Sequence, residues 1–246
     1  MTIPKKIHYC WLGNAKIPAE LQKCMQTWRD KMPDYEIICW DEKRFDINSV
    51  KFVQEAYQAR QWAFAADYIR LYALYTEGGI YLDTDVIVKK SFNEFLQYDF
   101  FSAVEYQTTA KKQIPGILMA VLGSVARHLF IKDCLAWYES NPFILSDGSQ
   151  NISLIGPGIY ARIAEKYGFQ YKNETQFLKN NMVIFPSTVF STNSIDVAKD
   201  VYAVHYCNAS WQSKDWLKFF RRNKFIREIF GLESFKTITD IINGKF

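Results

Sequence analysis

The chain has 246 residues, 49% of them hydrophobic and 17% aromatic, with a formal net charge of +4. That composition supports a substantial core and excludes disorder, and a charge this mild does not call for nucleic acid. The length suits one large domain, or a domain with a small appendage. The opening MTIPKKIHYCWLGNAKIP carries basic residues before a short apolar run, with Pro18 close behind, which reads as a first strand and not as a signal peptide. Lys6 to Leu12 is that strand, ended by the turn signal Gly13-Asn14. Pro18 suits the first turn of a helix to about Lys31, with Leu21, Cys24, Met25 and Trp28 recurring at spacings of three and four. Tyr35 to Trp40 is a second strand, and Ser49 to about Arg60 a second helix.

The stretch from Gln61 to Val88, QWAFAADYIRLYALYTEGGIYLDTDVIV, organises what surrounds it. Its first half is apolar on nearly every side, as in a helix buried over most of its surface. Asp67 and Arg70 lie three apart in it and so share one face. Gly78-Gly79 ends the helix, and Ile80 to Val88 follows as a strand, with Tyr81, Asp83, Asp85 and Ile87 on one side at a period of two. A lone Asp-x-Asp more often marks a solvated turn. Two carboxylates closing an apolar strand, however, repel each other and lose hydration, and a divalent cation bound by both relieves this. Strand, helix, strand, helix, helix, strand is the order of a mainly parallel sheet covered by helices. In such sheets a nucleotide-sized ligand binds beyond the carboxyl ends of the strands, where the Gly13 loop and Asp83/Asp85 both fall.

Beyond Val88 the pattern loosens. Phe92 to Leu96 reads as a short helix, Asp99 to Val104 as a strand, Glu105 to Pro115 as a polar loop near the site, and Ile117 to Leu122 as a strand. Val125 to Ser140 reads as a helix, Asp147 to Pro157 as a loop, and Pro157 to Tyr167 as another helix. Met182 to Phe185 and Val201 to Cys207 are late strands. The five cysteines, Cys10, Cys24, Cys39, Cys134 and Cys207, are odd in number and lack C-x-x-C spacing, as small core residues of a reducing compartment would be. His8 reads as a hydrogen-bonded core residue and His128 as a surface helix position. For His205, at the end of an apolar strand, ligand and core roles both stand.

The run from Trp62 to Val86, with Asp67, Arg70, Gly78-Gly79, Tyr81 and Asp83-Thr84-Asp85, closely resembles the DXD-motif sugar-binding region of family 32 glycosyltransferases. That family includes bacterial capsular-polysaccharide transferases, and it is related to the glucosyltransferase domains of clostridial toxins. The opening IPKKIHYCWLG matches its first strand, and Val204 to Trp211 (VHYCNASW) its closing His-to-Ser-Trp segment. The resemblance implies an α/β fold of the GT-A type, a nucleotide-sugar-binding domain with a central mixed sheet flanked by helices. It spans residues 1–212, leaving 213–246 as a basic, aromatic helical extension. It also implies a retaining transferase that uses a nucleotide-sugar, a UDP-sugar before GDP-mannose, with Mn²⁺ or Mg²⁺. The acceptor would be a saccharide or lipid-linked glycan, in surface-polysaccharide synthesis.

Carried over position by position, the resemblance gives Trp11 to the nucleotide base, with Cys10 beside it, and Asp67 and Arg70 to the donor sugar and to catalysis. Tyr81 falls to the diphosphate side, Asp83 to the ribose and a metal-bound water, Asp85 to the metal and catalysis, and His205 to the metal. Ser210 and Trp211 close on the β-phosphate. Two departures stand out: Tyr206 occupies the place of a second His, and Ile155 that of the usual Thr before Gly156-Pro157. The rival readings are a phosphotransferase of the haloacid-dehalogenase type, whose Asp-x-Asp normally lies near the start of the chain, and a non-catalytic nucleotide-sugar-binding module. Trp216 to Phe230 (WLKFFRRNKFIREIF) reads either as a helix lying on an anionic membrane or as a C-terminal helix packed on the domain with a solvated basic face. The expected location is cytoplasmic, either free or peripheral on the inner face of the membrane.

Overall fold

The computed structural model describes residues 2–108, 113–151, 156–192 and 201–206. Lys6–Cys10 (β1) lies between Glu36–Trp40 (β2) and Gly79–Leu82 (β3), parallel to both. The parallel pairings are possible because Ala19–Lys31 (α1) separates β1 from β2, and Lys51–Gln58 (α2) with Trp62–Glu77 (α3) separates β2 from β3. Beyond β3 the sheet becomes mixed. Val121–Ser124 (β7) runs antiparallel to β3 and to Phe100–Thr108 (β5), and β5 runs parallel to Met182–Phe185 (β9). Gln176–Leu178 (β8) forms the far edge, giving the order β2-β1-β3-β7-β5-β9-β8, with Gln113–Ile117 (β6) paired to the outer half of β5. A second sheet of three strands joins Val86–Val88 (β4), Ala203–His205 (β11) and Phe190–Thr192 (β10).

The central strands of the large sheet are buried on both faces, so they read as continuous apolar runs without alternation. Tyr81, Phe100 and Val104 point to one core with α2, α3, Leu129–Ser140 (α4) and Gly156–Ala164 (α5). Ile80, Leu82, Phe101 and Ala103 point to the other, against Trp28 of α1 and Phe190 and Ala203 of the small sheet. The double glycine after α3 has two separate causes. Gly78 and Gly79 both take positive φ, at 64° and 109°. A Cβ on Gly79 would lie 2.9 Å from the Lys6 carbonyl oxygen and 3.0 Å from the His8 ring.

Several expected elements are corrected. The strand from Ile80 to Val88 is broken: after Leu82 the chain turns, with Val86 N–H donating to Asp83 O at 3.0 Å, and re-enters as β4 in the other sheet. Asp83 and Asp85 therefore sit in a tight turn, not on one strand face. Glu105 to Thr108 and Gln113 to Pro115 are strand and not loop, because β5 and β6 pair from Val104–Ile117 to Thr108–Gln113; residues 109–112 lie outside the described residues. The strand expected from Ile117 to Leu122 divides at 118–120. There Ser102 Oγ donates to the carbonyls of Leu118 and Val121, and Leu118 N–H donates to Ala103 O. Helix α4 starts at Leu129 and not at Val125: Arg127 takes φ 60° and His128 caps the helix, accepting from Phe130 N–H. His128 is thus buried instead of lying on the surface. The short strands β8 and β10 carry too little pattern to be read. Among the described residues no helix is long and apolar enough to cross a membrane.

Candidate active site

Arg70 is the centre of the site. An apolar helix places it beneath the sheet rim with its side chain buried, where a guanidinium is costly unless every face is met. Each face is met. Nη2 pairs with Asp67 Oδ1 at 2.9 Å, one turn back on α3, and Nη1 donates to Met119 O at 3.0 Å. Nη1 also lies 3.5 Å from Asp83 Oδ1, Nε donates to Ala66 O at 3.2 Å, and the guanidinium carbon stands 4.7 Å from the centre of the Tyr81 ring. Tyr81 O–H in turn donates to Asp83 Oδ1 at 2.9 Å. One cation therefore holds a helix, a strand end and the 118–120 bend together. Burial is the largest influence on Asp67: it pushes the carboxyl up to about 7, against the pull of Arg70 and with a further push from Asp83.

The turn that breaks the strand has a use. It aims Asp83 and Asp85 at His205, which lies opposite Val86 in the antiparallel pairing of β11 with β4. His205 Nε2 is 3.3 Å from Asp85 Oδ1 and 3.9 Å from Asp83 Oδ2. One ligand atom from each of the three residues lies within 4.8 Å of the others, all half-buried. Two carboxylates and one imidazole make a donor set suited to a divalent cation such as Mn²⁺ or Mg²⁺. The residues present therefore fit the metal that the sequence suggests.

The remaining sequence-predicted residues divide. Cys10 ends β1 beside this network, hydrogen-bonded with Tyr81 and within the fields of Arg70 and Asp83; burial pushes its thiol up to about 12, so it stays neutral. Trp11 follows it, half-buried, with its indole N–H donating to Ala15 O at 2.6 Å. Ser210 and Trp211 lie outside the described residues, as do Cys207, Ile155 and the stretch from Trp216 to Phe230. His8 is a core residue: Trp40 Nε1–H donates to its Nδ1 at 3.0 Å, which leaves Nε2–H to donate to Gly78 O at 2.7 Å. Glu105, on β5, was missed. Burial raises its carboxyl above the usual range, while His205 and Arg70 lower it and Asp83 raises it, so it belongs to this site. Its signal was present as a period of two running from Phe101 through Ala103 to Glu105. Only the identity of β5 as a nine-residue strand reveals that period.

Residues 18–101 match the family described as "Glycosyltransferase sugar-binding region containing DXD motif". Over 226 residues the chain is 26% identical to inositol phosphoceramide mannosyltransferase 2 of Schizosaccharomyces pombe, covering 87% of this chain and 59% of that protein. The chain thus spans about three fifths of that relative's length. It is 24% identical over 233 residues to an uncharacterized glycosyltransferase of Acanthamoeba polyphaga mimivirus, covering 91% and 90% of the two. Among solved structures, the PaToxG glycosyltransferase superposes with a TM-score of 0.52 at 18% identity, over 67% of this chain and 70% of that one. At that identity the likeness is one of fold, a mixed sheet flanked by helices of the GT-A kind.

Proposed function

We propose, from the match of residues 18–101 to the glycosyltransferase sugar-binding region containing a DXD motif, a metal-dependent, retaining transferase that moves a hexose from a nucleotide-sugar to a saccharide. The observation that carries the reading is the placement of the Asp83, Asp85 and His205 ligand atoms within 4.8 Å of one another, next to a buried Arg70 that already grips Asp83. A purely structural ion pair has no need of the three-ligand cluster, and a solvated turn has no need of Arg70. Asp85 and His205 would hold Mn²⁺ or Mg²⁺ with Asp83, directly or through a bound water. When bound, such a cation offsets the negative charge that develops on a leaving diphosphate.

The chain's own groups do the rest. Arg70, held by Asp67, Asp83, the carbonyls of Met119 and Ala66 and the Tyr81 ring, would orient the donor sugar without rearranging itself. Asp67, ionised, would accept a hydrogen bond from a sugar hydroxyl and so orient the ring. Tyr81 holds Asp83 in place through its hydroxyl. Trp11 at the end of β1 would cover the base, beside Cys10, and Ser210 and Trp211 would close over the β-phosphate. The reading extends to a UDP-sugar ahead of GDP-mannose, to a saccharide or lipid-linked glycan acceptor in surface-polysaccharide synthesis, and to action on the cytoplasmic side of a membrane. There residues 213–246, appended to a transferase domain of residues 1–212, would make a peripheral contact. That a relative is named a mannosyltransferase keeps GDP-mannose in the test. The experiment is a thermal-shift panel of UDP- and GDP-sugars with and without Mn²⁺. Stabilisation that needs both nucleotide-sugar and metal is expected, and a panel with no such pair would overturn the proposal.

A further inference from the structure

Glu105 is the acidic group of the site that the ion network leaves out. Along β5 the side chains of Phe101, Ala103 and Glu105 share a face, and the first two pack in the core that the small sheet covers. Continuing that face by two residues brings Glu105 toward His205, at the end of β11 in the same small sheet, and His205, Asp83 and Arg70 all lie near enough to act on its carboxyl. Its partner across the hairpin is Gly116, where a Cβ would fall 2.9 Å from Pro157 O at the start of α5. Glu105 thus stands between the metal triad, Arg70 and the beginning of α5.

Like Asp67 and Asp83 it is half-buried, but unlike them it has neither a hydrogen-bond donor nor an ion-pair partner among the described residues. A carboxylate in such a place loses hydration without replacement, and a hydroxyl-bearing ligand supplies the missing donors. Other acidic groups of the site have partners: Arg70 takes Asp67 and Asp83, and His205 takes Asp85. We propose that Glu105 accepts a hydrogen bond from a sugar hydroxyl bound in the cleft, and so determines which saccharide is held there. This rests on the transferase reading above. The hydroxyl can belong to the donor sugar or to the acceptor, and the two sources separate in experiment.

The test uses Glu105→Gln, which keeps shape and a carbonyl acceptor but removes charge, and Glu105→Ala, which removes both. Three quantities are read against the wild-type protein with Mn²⁺: affinity for the free nucleoside diphosphate, affinity for the nucleotide-sugar identified by the panel, and transfer to simple glycosides against hydrolysis of the donor. Nucleoside-diphosphate affinity should be unchanged within twofold. If the donor sugar is the source, nucleotide-sugar affinity falls on the order of ten- to a hundredfold, the usual worth of a hydrogen bond to a charged group, with Glu105→Ala at least as impaired as Glu105→Gln. If the acceptor is the source, donor affinity and hydrolysis stay while transfer falls by that factor. Unchanged donor affinity together with unchanged transfer would overturn the proposal. So would an equal loss of nucleoside-diphosphate affinity, which would mark Glu105 as a structural support. A wild-type protein that binds no nucleotide-sugar refutes the transferase reading instead, a result seen before any variant is made.

Discussion

Asp67→Asn should make the protein more stable at neutral pH relative to its stability in mild acid, although it removes one partner of a buried ion pair. In the unfolded chain Asp67 titrates near its ordinary 3.8, whereas burial in the folded protein lifts it to about 7. The folded state therefore holds the proton more tightly. Its contribution to stability is complete below pH 3.8 and is lost as pH rises to about 7, after which it is level. At 1.36 kcal/mol per unit the whole loss is about 4 kcal/mol, of which about 2–3 kcal/mol falls between pH 5 and pH 8. An asparagine resembles the protonated acid and does not titrate, and Arg70 keeps Asp83 and the Met119 carbonyl as partners. Urea unfolding of both proteins at pH 5, 6, 7 and 8, with chelator present, gives the difference directly, and titration of every other group cancels to first order. The stability of Asp67→Asn minus that of wild type should climb by about 2–3 kcal/mol across this range. Parallel curves would refute the reasoning and mean that the attraction of Arg70 outweighs burial. The sign also bears on function, since a carboxylate that costs stability at neutral pH is kept for something other than stability.

Asp85→Asn should abolish metal-dependent donor binding and transfer while leaving the fold intact; a folded variant that transfers at near the wild-type rate would remove Asp85 from the metal site. Arg70→Ala should lower turnover more than nucleoside-diphosphate affinity, because the guanidinium is assigned to the donor sugar; equal losses in steady-state kinetics and calorimetry would reduce it to a structural ion pair. Gly123→Ala should destabilise by about 1–3 kcal/mol, the usual cost of overpacking, since its Cβ would fall 1.9 Å from the Phe101 ring. A melting temperature within a degree of wild type would mean that Phe101 can move away.

What was legible in the sequence is what is local. Asp67 and Arg70 lie three apart on an apolar helix, and the double glycine stops that helix, so α3, its polar face and the start of β3 follow from spacing alone. The parallel half of the sheet was readable for the same reason, because a helix stands between each pair of its strands. In the mixed half the strands β5, β7 and β9 were readable, but their directions were not. β7 and β5 are adjoining antiparallel strands whose apolar runs look the same whichever direction the chain takes, and β8 and β10 have three residues each.

The break between β3 and β4 shows why a period of two misled. Ile80 to Val88 alternates well enough for one strand, but both halves are buried on both faces, so alternation carries no information about continuity. What decides the break is tertiary: Asp83 N–H donates to Ala120 O and Lys89 N–H to Tyr202 O, so the two halves belong to different sheets. The consequence is chemical. On a continuous strand Asp83 and Asp85 would have projected in parallel, about 7 Å apart along the chain. In a turn they converge on His205, which comes from 120 residues later through the pairing of β11 with β4. A motif in sequence can therefore name the candidate ligands, but only the exchange of sheets within the motif brings their oxygens within reach of His205.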